Sequence, residues 1–180
     1  MSRYAAFLRG MNVGGHRLTN EELRAHFDSM GFLDVASFRA SGNVVFAGEA
    51  AEPEDVRRRI EEGLSGLLGY GVPAFIRTAA EVRAIAARQA FPAKRMAASK
   101  GKLQVAMLFE KPSPSARREL MSLAGEADRL LLDERELYWL PSGGILDSGL
   151  DMKRIEGLLG AMTMRTKGTL EQIAAKHLSE

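Results

Sequence analysis

The feature that most limits what this chain can fold into is the order in which two hydrophobic periods alternate along it. Tyr4 to Leu8 is a short apolar run of strand length, closed by Arg9-Gly10. Thr19 followed by Glu22 forms a capping-box pattern, after which Leu23, Phe27 and Met30 recur at helical spacing until Gly31. Val35 to Ala40 and Val44 to Ala47 are strand-like, and Ser41-Gly42-Asn43 between them is a tight-turn cluster that predicts a hairpin. Pro53 suits the first turn of a second helix, whose stripe of Val56, Ile60, Leu64, Leu67 and Leu68 ends at Gly69. Val72 to Ile76 reads as a fourth strand, with Pro73 at an edge or at the strand start. Strand, helix, strand, strand, helix, strand is the split β-α-β unit of ferredoxin-like folds.

The second half partly repeats this order. A strand at Leu103 to Phe109 precedes a helix opened by Ser113-Pro114, and strands at Leu130 to Leu132 and Leu137 to Leu140 flank the charged turn Asp133 to Glu136. Ser148 with Asp151 and Thr169 with Gln172 mark two further helix starts, and no clear closing strand is visible. Between the halves, Thr78 with Glu81 opens a helix that Phe91-Pro92 ends, and residues 93–101 read as a loop. The expectation is an α+β protein of two ferredoxin-like subdomains with antiparallel sheets, the second incomplete or variant. Its expected divisions are 1–77, a connecting helix and basic loop at 78–102, and 103–180 with the C-terminal helices.

Composition removes several chemistries. The chain has no cysteine, which excludes a disulfide framework, a thiolate metal site and a cysteine nucleophile, and fits a reducing compartment. The uncharged run between Arg3 and Arg9 is too short for a signal-peptide core, and no apolar run reaches the roughly 18 residues of a membrane span. A cytoplasmic protein without membrane contact is expected. The net charge of +2 says nothing about partners. Locally, no acid lies between Glu81 and Glu110, while Arg83, Arg88, Lys94, Arg95, Lys100 and Lys102 all do.

The run Arg9-Gly10-Met11-Asn12-Val13-Gly14-Gly15, the following helix with Leu23-Arg24, and Ser41-Gly42-Asn43-Val44-Val45-Phe46 closely resemble the signature of the domain-of-unknown-function 1697 family. The resemblance implies a paired ferredoxin-like fold and no particular activity. That family's later pattern, a Ser-Lys-Leu run and a Thr-x-Arg-Asn-Trp-x-Thr run, is only partly kept. Ser148-Gly149-Leu150 lacks the Lys, and Thr163-Met164-Arg165-Thr166-Lys167-Gly168-Thr169 keeps the Arg and both Thr but has neither Asn nor Trp.

In a strand-helix-strand unit the first two strands run in the same direction, so their exits share one rim of the sheet. Arg9 to Gly15 and Ser41 to Asn43 are those exits. Arg9, Asn12, Gly14, Gly15, Ser41 and Asn43 are therefore the candidate site for a small anionic ligand, a nucleotide or phosphorylated metabolite, with Arg165 and the Lys94 to Lys102 loop adding charge if the halves face each other. The competing reading is structural glycines in a connecting loop and a plain hairpin turn. The spacing excludes a Walker loop. An enzyme in the same cleft would have His16 as its acid-base group. The basic stretch Arg83 to Lys102 offers a nucleic-acid surface as a further alternative, weakened by having Phe91 as its only aromatic. The three histidines share no ligand spacing, so neither metal nor cofactor is expected.

Overall fold

The computed structural model describes residues 1–12, 15, 17–39, 42–49 and 51–179. In chain order the elements are β1 (Ser2–Leu8), α1 (Asn20–Ser29), β2 (Leu33–Ser37), β3 (Asn43–Gly48), α2 (Pro53–Leu68), β4 (Ala74–Thr78), α3 (Ala79–Ala87), α4 (Ala93–Ala98), β5 (Gln104–Leu108), α5 (Pro114–Ser122), β6 (Asp128–Asp133), β7 (Glu136–Pro141), α6 (Met152–Leu159), β8 (Met162–Thr166) and α7 (Lys167–His177). A 3-10 turn at Ile145–Asp147 precedes α6. The chain divides into two compact units, Met1–Ala84 with Ile173–Glu180, and Ile85–Gln172.

The first unit carries a four-stranded sheet in the order β2-β3-β1-β4, with every neighbouring pair antiparallel. Tyr4, Ala6 and Leu8 of β1 join Val44, Phe46, Ala74 and Ile76 on the face covered by Leu23 and Phe27 of α1 and Val56, Ile60 and Leu64 of α2. Ala5 and Phe7, which alternate with them, are also buried, so β1 is apolar at successive positions instead of alternating with polar residues. Phe46 is the centre of an aromatic cluster, 4.5 Å from Phe32, 5.3 Å from Phe27 and 5.7 Å from Tyr4, ring centre to ring centre.

The helix ends follow from local chemistry. The Glu22 N–H donates to the Thr19 hydroxyl at 3.2 Å and the Thr19 N–H donates to the Glu22 carboxylate at 2.8 Å. These bonds hold the Glu22 carboxyl below its ordinary range. Pro53 occupies the first turn of α2, and Gly69 ends that helix in the left-handed region at φ 75°. Thr78 and Glu81 repeat the capping box at the start of α3.

The second unit carries a sheet in the order β6-β7-β5-β8, again antiparallel throughout. The closing strand that the sequence did not show is β8, so this unit is a complete counterpart of the first. Its Met162 and Met164 join the helix-facing core with Ala106, Leu108, Leu120, Trp139 and Ile155, while Thr163 and Arg165 alternate to the other face. Residues 93–101 differ from expectation too. Pro92 precedes α4, whose six residues are too few to display a helical period. The two sheets share a register detail: Arg77 of β4 lies opposite Ala5 of β1, and Arg165 of β8 lies opposite Val105 of β5.

Candidate functional site

In the first sheet β1 and β2 are both antiparallel to the β3 between them, so their exits lie at the same edge. Backbone hydrogen bonds fasten that edge. The Leu8 N–H donates to the Gly42 carbonyl at 2.8 Å, the Arg9 N–H to the Pro73 carbonyl at 3.0 Å, and the Phe38 N–H to the Asn43 carbonyl at 2.9 Å. Gly42 has φ 68°, and a Cβ there would stand 3.1 Å from the Cβ of Leu8, so both conformation and proximity favour glycine.

The loop after β1 is tethered at its middle. The Tyr70 hydroxyl donates to the Met11 carbonyl at 2.6 Å, and the Asn12 side-chain oxygen accepts from the Leu18 N–H at 3.1 Å. Arg9, Asn12 and Gly15 are exposed there. Gly14, Ser41 and His16 lie outside the described residues. Asn43 sits at the same edge but is turned inward: it is 1% exposed and its amide donates to the Phe38 carbonyl at 3.0 Å, bracing the hairpin. Arg165 belongs to the second unit. Its guanidinium donates to the Thr163 hydroxyl at 2.9 Å and the Met164 carbonyl at 2.8 Å, and burial lowers its pKa to about 10, which leaves it cationic at neutral pH.

Two further cations accompany the rim, Arg17 in the first loop and Arg39 in the hairpin, both exposed. Arg39 has φ 58° and its guanidinium lies 5.5 Å from the centre of the Phe38 ring. A sequence signal for them exists: neither Arg9 to Asn20 nor Val35 to Gly48 contains an Asp or Glu. The basic stretch is divided by its contacts. Arg83 donates to the Leu178 carbonyl at 2.9 Å, and Arg88 pairs with Asp133 at 2.9 Å. No described helix is long and apolar enough to cross a membrane.

A protein-family model described as "Protein of unknown function (DUF1697)" matches residues 1–138. The match stops before Ser148 and Arg165, where the motif pattern is only partly kept. The fold is similar to the solved structure of a conserved bacterial protein from Streptococcus pneumoniae, with a TM-score of 0.72 and 18% sequence identity over 97% of each chain. At that identity the likeness concerns the fold. No curated protein matches the chain.

Proposed function

From the premise that the chain belongs to the DUF1697 family, whose description carries no activity, we propose that its first unit binds a small anionic ligand, a nucleotide or phosphorylated metabolite, on the rim beside Arg9. The observation that carries this reading is the Leu8 to Gly42 backbone hydrogen bond of 2.8 Å, which joins the two acid-free loops. Arg9 follows that bond directly, its own N–H donates to the Pro73 carbonyl, and the residue is exposed at the sheet edge. A guanidinium presents a planar fork of donors that matches a phosphate or carboxylate group. Arg17, Arg39 and the Asn12 amide nitrogen are the supporting groups. The Asn12 oxygen already accepts from Leu18, which orients that amide, and the inward-facing Asn43 serves as the brace that keeps the hairpin in place.

Thermal melting against nucleotides and sugar phosphates, with Arg9→Ala alongside, tests the reading. A ligand at a hundred times its dissociation constant adds ~2.7 kcal/mol, which for a chain of this size is a rise of about 5 to 11 °C. The rise is expected in the native protein and reduced in Arg9→Ala, whose own melting temperature stays within about 2 °C of the native one because the side chain is on the surface. An undiminished rise in Arg9→Ala removes the rim from consideration.

A further inference from the structure

The second unit contains a cavity of about 380 Å³ lined by Lys94, Arg95, Ala98, Ser99, Glu126, Arg129, Leu140 and Ser142. Its walls come from separate parts of that unit, fastened by hydrogen bonds to main-chain carbonyls. The Lys100 N–H donates to the Ser142 carbonyl at 3.1 Å, the Ser142 N–H donates to the Ala127 carbonyl at 2.8 Å, and the Ser99 hydroxyl donates to the Pro141 carbonyl. A Cβ on Gly101 would overlap the carbonyl oxygens of Pro141 and Gly143, so the segment after α4 lies hard against the end of β7. Lys94 and Arg95, both exposed, border this open depression, whose floor includes the buried Leu140.

The charge of this hollow is one-sided. Among the described residues neither Lys94 nor Arg95 has a carboxylate within ion-pair distance, unlike Arg88 nearby in sequence, which pairs with Asp133 at 2.9 Å. Glu126 is the single acid in the lining. Its side chain is 98% exposed and stands 3.8 Å from Arg129, whose own side chain is 27% exposed. An ion pair that open to water offsets little of the positive potential. Leu140, 2% exposed, gives the hollow an apolar element, and Ser99 and Ser142 add polar ones.

The geometry points to a second ligand site here, one that takes a small phosphorylated compound with its phosphate between Lys94, Arg95 and Arg129 and its organic part toward Ala98 and Leu140. The volume is at the low end of the roughly 300–1,000 Å³ typical of small-molecule pockets. The lining holds no aromatic ring on which a nucleobase strand would stack, which separates this site from a single-stranded nucleic-acid groove. The inference is independent of the rim in the first unit.

Isothermal titration at low ionic strength with inorganic pyrophosphate and ribose 5-phosphate tests it, using the native protein, Lys94→Ala/Arg95→Ala, Glu126→Gln and Arg9→Ala. Binding is expected in the native protein and to survive in Arg9→Ala, where the rim has lost its guanidinium, so the binding that remains in that variant reports this site and its complete loss there overturns the proposal. It is expected to weaken roughly tenfold or more in the double variant, the size of a lost charge-assisted contact, and to tighten in Glu126→Gln, where the opposing acid is gone. No binding of either probe to the native protein, or equal binding by the double variant, overturns the proposal. Tighter binding of a short single-stranded oligonucleotide than of either probe overturns the assignment to a small ligand.

Discussion

The two units place their loop material at opposite rims of the same sheet topology. In the first, the connection from β1 to α1 is long and glycine-bearing, and the β2–β3 hairpin beside it spans several residues, so the rim at the exits of β1 and β2 is elaborated. In the second, the equivalent connections are short. Residues 109–113 join β5 to α5, and a two-residue turn with Glu134 at φ 49° joins β6 to β7. Its elaboration is at the other rim, where the segment after α4 leads into β5 and residues 142–151 link β7 to α6. That is where the cavity lies. In the first unit the corresponding rim is closed by Tyr4, whose hydroxyl donates to the Ala51 carbonyl at 3.0 Å. The topology supplies the platform, and loop length decides which end of it is available for binding.

The largest test of this comparison is in the cores. Phe46→Ala removes the centre of the first unit's aromatic cluster and is expected to cost about 3–5 kcal/mol. Trp139→Phe keeps most of the ring volume in the second unit but removes the indole donor to the Asp128 carboxylate, a bond of 2.8 Å. Asp128 is 7% exposed and also accepts from the Ser148 hydroxyl at 2.8 Å, so one partner remains and the expected cost is about 1–3 kcal/mol. Urea unfolding followed by far-ultraviolet circular dichroism measures both. Equal losses would contradict the picture of one unit centred on stacked rings and the other on a polar brace.

A smaller effect separates brace from ligand donor at the rim. Asn43→Ala is expected to lower stability by about 1 kcal/mol through the lost bond to Phe38. It should leave any ligand affinity within threefold once folding is complete, whereas Arg9→Ala does the reverse. The smallest effect is pH-dependent. His177 packs edge-on to Phe38, and its Nε2 is buried without a hydrogen-bond partner among the described residues. Burial, then the neighbouring charges of Lys176 and Arg3, lower its pKa. The unfolded chain therefore takes up a proton at higher pH than the folded one, and this contribution to stability falls as the pH drops below the ordinary imidazole value of about 6.5. Melting temperatures of the native protein and His177→Leu measured from pH 7.5 downward should converge or cross as acid is added, and parallel curves would contradict the burial of a neutral imidazole.

Much of the fold is written locally, and those parts are legible. Thr19 with Glu22 and Thr78 with Glu81 announce helix starts within four residues, and Gly69 announces a stop. β8 is hidden because Met162-Thr163-Met164-Arg165-Thr166 sets Thr163, a half-buried Arg165 and Thr166 among only two methionines, a run that a hydrophobic pattern counts as largely polar. The rim is half-legible. Topology brings Arg9 and Asn43 to one edge, but residue type does not say that the Asn43 amide turns inward to Phe38. The cavity is not legible at all, since Lys94 and Arg95 meet Arg129 and Ser142 only through the main-chain ties around Gly101.

The first unit is completed by residues 173–180, and its Arg83 waits for the carbonyl of Leu178. During synthesis the whole second unit emerges between those two residues. At roughly 5–20 residues per second the first sheet, with its helices already in place, spends about 4–18 s without Ile173 and Leu178, both buried in the finished protein. Phe38, His177 and their neighbours thus belong to a late-closing seam. Throughout that interval the apolar surface that Ile173 and Leu178 cover in the finished protein stays open, although the sheet beneath it is already made.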